Sequence, residues 1–171
     1  HRVDRRQRQM CIRDRSDTVY YHSGGRYFRK CLRDKLSNEY KELRVRKGWG
    51  DALISLLSSS FYYWLWIAIS DCYHVTRRDI GALPAPQSLA TDRKLHAMAA
   101  TLLEDLWKHA ETRKRSRASG TQEKEINFNL SMSKPILDRI DCLLAQHYGF
   151  TDEELDLLLN YDAKYRTEDT Q

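Results

Sequence analysis

Few residues in this sequence stand at spacings that could do chemistry. Asp71 and His74, within Ser70-Asp71-Cys72-Tyr73-His74, could form the carboxylate–imidazole pair that orients a catalytic base. No nucleophile accompanies them, so the pair reads better as structural or DNA-contacting. Cys72 has no neighbour that would activate a thiolate and is expected to pack as a small hydrophobe. The carboxylates of Asp152-Glu153-Glu154 point in different directions on a helix and, following Thr151, read as a capping box. Cys11, Cys31, Cys72 and Cys142 show neither a Cys-x-x-Cys pair nor a His at metal-ligand spacing. A Gly-rich phosphate loop, a Gly-x-Ser-x-Gly elbow and a His-Glu-x-x-His helix are all missing from the sequence. The expectation is therefore no catalytic, cofactor-binding or metal-binding residue in this chain.

Basic residues interleaved with aromatics are more informative. Tyr20, Tyr21, His22, Arg26, Tyr27, Arg29 and Lys30 combine phosphate-attracting charge with flat side chains, and Arg77-Arg78 is a second basic pair. A solvated strand pair with stacked tyrosines explains the same composition. The 171 residues carry a net charge of +5, distributed unevenly. Residues 1–50 hold 15 basic against 6 acidic residues, a net +9; residues 51–120 are at +2 and residues 121–171 at −6. Within residues 1–16, Met10-Cys11-Ile12-Arg13-Asp14-Arg15 resembles translated sequencing-adapter read-through, so this segment is expected to be a non-native leader. Without it the net charge falls to +1, and overall basicity alone argues weakly for a polyanionic partner. The segment lacks the apolar stretch of about 7 to 15 residues that a signal peptide needs. Four scattered cysteines with no disulfide or zinc pattern fit a reducing cytoplasm.

These residues need elements to hold them. Thr18-Val19-Tyr20-Tyr21 is β-prone, Ser23-Gly24-Gly25 supplies a turn, and Arg26-Tyr27-Phe28 resumes, which predicts a hairpin or strand-loop-strand. Ala52 to Ser70 contains no charged residue, close to the length that spans a bilayer. Ser58, Ser59 and Ser60 at its centre would find few partners in lipid, so a buried helix is the better reading and no membrane partner is expected. Pro84 and Pro86 enforce an extended crossing. Residues 87–120 then read as a long amphipathic helix, capped by Ser88, with Leu95, Met98, Ala99, Leu102, Leu106 and Ala110 on one stripe. Arg113-Lys114-Arg115-Ser116-Arg117 would form its exposed C-terminal end. Residues 121–171 read as a loop, a short strand at Ile126-Asn127-Phe128-Asn129-Leu130, and two helices. The first helix has Pro135 in its first turn and Gly149 after its last, and the second starts at the Thr151 box. The expected fold class is α+β, mostly helical after residue 50.

The order of these segments resembles the C-terminal region of class I adenine-specific DNA methyltransferases of restriction-modification systems, over about Asp17 to Thr167. Three blocks carry the resemblance. The first joins Val19-Tyr20-Tyr21, Arg26-Tyr27-Phe28 and Ser37-Asn38-Glu39-Tyr40-Lys41. The second runs from Leu56-Leu57-Ser58-Ser59-Ser60-Phe61-Tyr62-Tyr63-Trp64 to Ser70-Asp71-Cys72-Tyr73-His74. The third, and most specific, joins Ser133-Lys134-Pro135-Ile136-Leu137-Asp138-Arg139-Ile140-Asp141, His147-Tyr148-Gly149-Phe150-Thr151-Asp152-Glu153-Glu154 and Asn160-Tyr161-Asp162-Ala163-Lys164-Tyr165-Arg166.

In such enzymes an N-terminal Rossmann-like domain binds S-adenosylmethionine, an Asn-Pro-Pro-aromatic motif holds the flipped adenine, and the C-terminal portion resembles a TaqI-like specificity domain. This sequence has no such motif, so the resemblance implies recognition alone, with cofactor and chemistry belonging to a catalytic domain on the same polypeptide. Residues 17–86 would be part of the target-recognition domain. Its expected contacts to double-stranded DNA are Arg26, Tyr27, Arg29, Lys30, Lys41, His74, Arg77 and Arg78. The competing expectation is a freestanding, non-enzymatic helical interaction module.

Overall fold

Strand β1 (Ser16–His22) gathers the β-branched and aromatic residues of the N-terminal region, and it becomes the centre of a three-stranded antiparallel sheet. A computed structural model describes residues 16–24, 28, 30–116 and 122–164. β2 (Cys31–Leu32) and β3 (Tyr40–Arg46) flank β1, with Val19 opposite Leu43 and Tyr21 opposite both Cys31 and Lys41. Side chains alternate along a strand, so Val19 and Tyr21 share the buried face, which packs on the helical layer. The strand expected near Tyr27 falls largely outside the described residues; the described partner of β1 is Cys31–Leu32. β3 had no strand expectation at all.

The uncharged run from Ala52 to Ser70 is buried as expected up to Tyr63, becomes mostly half-buried beyond it with Ala68 and Ile69 exposed, and forms two helices. α1 (Trp49–Ser58) and α2 (Ser60–Ile69) meet at a bend of 69°. Ser59 makes the break: its backbone is extended, its Oγ accepts the Tyr62 amide at 3.0 Å, and its hydroxyl donates to the Leu56 carbonyl at 2.6 Å. α1 is the hub, packing against β1, β2 and the later helices, with Ile54, Leu56 and Leu57 almost fully buried. Among the described residues no single helix is long and apolar enough to cross a membrane.

Both helix starts are capped from afar. The Asp17 carboxylate on β1 accepts the amides of Gly48 (2.7 Å) and Gly50 (3.0 Å) at the start of α1. A Cβ at Gly50 would come within 3.1 Å of the Asp17 side chain, and Gly48 turns at φ +88°. The α2 amides of Ser60 and Phe61 donate to Asp141 at 3.0 and 3.1 Å. These amides have no intrahelical partners, so a carboxylate suits them.

After the short α3 (Arg77–Gly81) and a 3-10 turn (Gln87–Thr91), the long helix differs from expectation at both ends. α4 spans Arg93–Lys108 and is capped by Asp92, whose carboxylate accepts the amides of Lys94 (2.7 Å) and Leu95 (3.2 Å); Ser88 is not the cap. Its buried stripe of Leu95, Ala99, Leu102 and Leu106 is as expected. Continued at helical spacing, that stripe would meet Arg113 and Arg117 beyond Ala110, and these offer no apolar end for a core. The chain instead forms β4 (Ala110–Ser116), paired antiparallel with β5 (Gln122–Phe128). The basic run is therefore strand up to Ser116, and the loop expected at Thr121 to Glu125 is strand from Gln122.

α5 (Lys134–Tyr148) and α6 (Asp152–Asn160) match the sequence signals closely. Pro135 lies in the first turn of α5, Gly149 ends it in the left-handed conformation at φ 71°, and the Thr151–Glu154 capping box is complete. α5 packs between α4 and α6, and Leu137, Ile140 and Leu144 are fully buried.

Candidate nucleic-acid interface

The end of the sheet where β1 finishes is a crossing of four segments. The His22 amide donates to the Lys30 carbonyl (2.8 Å), the Ser23 amide to the Glu39 carbonyl (3.0 Å), and the Val75 amide to the Ser23 carbonyl (2.8 Å). Arg77 reaches the same corner, donating to the Glu42 carbonyl of β3 at 3.2 Å. Lys41, one residue before, donates from Nζ to the Asn38 carbonyl at 2.7 Å. Lys30, Lys41, His74, Arg77 and Arg78, all expected DNA contacts, are thereby brought together. His74, Arg77, Arg78 and Lys41 are exposed and Lys30 is half-buried. Arg26, Tyr27 and Arg29 lie outside the described residues.

The acidic groups at this corner have other partners. Glu39 pairs with His22 Nε2 at 3.0 Å, while His22 Nδ1 faces the Gly24 carbonyl at 2.9 Å. Asp79 completes a capping box with Thr76 at the start of α3, and Glu42 pairs with Arg44. Burial pushes the Tyr21 phenol above its ordinary range, against the pull of Arg77 beside it. Arg77 is thus held to β3 beside Tyr21, whereas Arg78 is exposed.

Asp71 and His74 do not form a catalytic pair. The Asp71 carboxylate accepts the Tyr73 amide at 3.0 Å, which with further backbone donors holds it below the usual carboxylate range, and both residues are exposed. The His74 ring meets Tyr73 edge-on at 4.5 Å. Cys72 is exposed at positive φ (59°), so it does not pack as a small hydrophobe; it sits in the tight turn that leaves α2. Among the described residues no group of three His, Cys, Asp or Glu is placed to hold a metal ion.

One constellation had no sequence signal. His147, near the end of α5, faces Asp92 through Nε2 (2.7 Å) and Ser88 through Nδ1 (2.8 Å). The connectivity is that of a nucleophile triad, yet Ser88 lies exposed on a short 3-10 turn, and neither described surface groove borders it. Asp92 also caps α4, so the three side chains tie the C-terminal end of α5 to the start of α4. An open groove of about 510 Å³ lies between β2 and α4, lined by Leu32, Leu103 and Trp107 with Arg33, Asp34 and Glu104 at its rim. No protein-family model, curated protein or solved structure matches this chain.

Proposed function

We propose that this chain is the DNA target-recognition portion of a site-specific adenine DNA methyltransferase of a restriction-modification system, acting in the cytoplasm. S-adenosylmethionine and methyl transfer belong to a catalytic domain on the same polypeptide. The observation that carries the reading is the corner where Lys30, Lys41, His74, Arg77 and Arg78 converge from separate segments while the neighbouring carboxylates are internally paired. Such a set gives phosphate contacts that fix register on a duplex, with Arg78 free to reach a base edge. The motif blocks of the methyltransferase C-terminal region supply the enzyme class.

The test replaces Lys41 and Arg78 with Gln together, since neither is part of the buried scaffold. Fluorescence anisotropy with a labelled duplex of about 20 base pairs, two helical turns, follows affinity against salt. Loss of two phosphate contacts is expected to lower the slope of log K against log salt by about 1.8. An unchanged slope and affinity would remove this corner from the DNA contact surface.

A further inference from the structure

The groove between β2 and α4, about 510 Å³, has the size of a small-molecule site. Such sites occupy roughly 300 to 1,000 Å³ and combine apolar walls with a few placed polar groups. Leu32 lines the groove from β2, and Ala100, Leu103 and Trp107 line it from one face of α4. Each stands one residue beyond a member of the buried stripe (Ala99, Leu102, Leu106), so this row is turned toward the surface. Ala100 is exposed, Leu103 half-buried and Trp107 45% exposed. Of the four tryptophans, Trp107 alone is exposed, and its ring meets the buried Phe128 edge-on at 5.2 Å.

The charges at the rim do not cancel. Arg33, the one cation lining the groove among the described residues, is ion-paired with Asp51 of α1. Asp34 and Glu104 are exposed carboxylates with no hydrogen bond or ion pair among the described residues. One follows β2 and the other stands on α4, so each side of the groove carries a negative charge. Two unpaired carboxylates repel an anionic ligand and attract a cation. A tryptophan ring adds attraction for a cation within about 6 Å of its face.

We infer that this groove binds a small organic cation, an ammonium group carried on an apolar body the size of an aromatic ring. The apolar body covers Leu103 and Trp107, and the ammonium faces Asp34 and Glu104. The site does not rest on DNA recognition, because its acidic rim repels the phosphates that the basic corner attracts.

The experiment uses the full, isotope-labelled chain and three probes that share one body: benzylammonium, benzyl alcohol and benzoate. Binding is read by NMR from the indole N–H signal of Trp107, assigned by its loss in Trp107→Phe. The remaining tryptophan signals report that each protein is folded. Benzylammonium is expected to shift the Trp107 signal, with benzyl alcohol binding about fivefold more weakly and benzoate more weakly still. In about 1 M salt, where charges are screened beyond about 3 Å, that preference should vanish. In Asp34→Asn/Glu104→Gln benzylammonium should bind no better than the alcohol. Equal affinity for the three probes, a Trp107 signal that none of them moves, or a preference that survives in Asp34→Asn/Glu104→Gln would each overturn the cation site. Nα-acetyl-lysine amide, with its ammonium on an aliphatic stem, should bind more weakly than benzylammonium. Equal or tighter binding would overturn the small-molecule assignment in favour of a lysine from a partner protein.

Discussion

Replacing Asp141 with Ala is expected to destabilise the protein by about 3 kcal/mol, most of it from two buried amides left without acceptors. Asp141 is 1% exposed, on α5, and its two carboxylate oxygens accept the Ser60 and Phe61 amides at the start of α2. Burying a carboxylate is costly unless donors surround it. Here two amides and the positive end of the α2 dipole do so. The same contact joins the N-terminal and C-terminal parts of the chain, so its loss removes a tertiary tie as well as a cap. At roughly 2 to 4 °C per kcal/mol for a chain of this size, the melting temperature should fall by about 10 °C. Urea denaturation followed by tryptophan fluorescence measures the change. A loss well below about 1 kcal/mol, the usual worth of a single surface cap, would show that α2 does not depend on this carboxylate.

Asp92→Ala should be the second largest effect, about 2 kcal/mol near neutral pH, combining a lost N-cap with a lost bond to His147. Burial works to raise the Asp92 carboxyl, and the hydrogen bond from His147 with the Leu95 and Lys94 amides outweighs it, so the group titrates below the ordinary carboxylate range. A depressed folded-state pKa means the stabilisation is fully present above the unfolded value of about 4 and is lost as pH falls through the folded one. Stability curves of the unaltered protein and the variant should therefore lie apart at neutral pH and converge in strong acid. A gap that stays constant across that range would mean that the carboxylate's ionisation is not what matters.

Legibility in the sequence followed the locality of the signal. Pro135, Gly149 and the Thr151–Glu154 box act on their own helix ends, and α5 and α6 begin and end close to where those residues place them. In the run from Ala52 to Ser70 nearly every position is apolar or small, so no amphipathic phase marks a break, and Ser59 looked no different from Ser58 and Ser60. The edge strand β3 did carry a period-2 signal, Leu43 and Val45 alternating with Glu42, Arg44 and Arg46, but it is only two apolar residues long and Lys41 interrupts it on the same face. The basic run after Ala110 fits a helix end by composition; only the lack of apolar residues at stripe positions beyond Ala110 argued against a longer helix. The corner formed by Lys30, Lys41, His74 and Arg77 was legible as residue types but not as a place, since the Val75–Ser23 and Arg77–Glu42 bonds that assemble it join distant segments. The Asp141 and Asp92–His147 contacts were invisible for the same reason.

Hydrogen exchange of the chain with and without a DNA duplex tests the central claim most directly, because it reports where the partner lies. The account predicts added protection of backbone amides around Lys41 and from His74 to Arg78, the convergent corner of the sheet, with little change on the acidic helix α6. Protection confined to α6, or no protection anywhere at a duplex concentration well above that needed for half-binding at low salt, would contradict recognition of DNA through this surface.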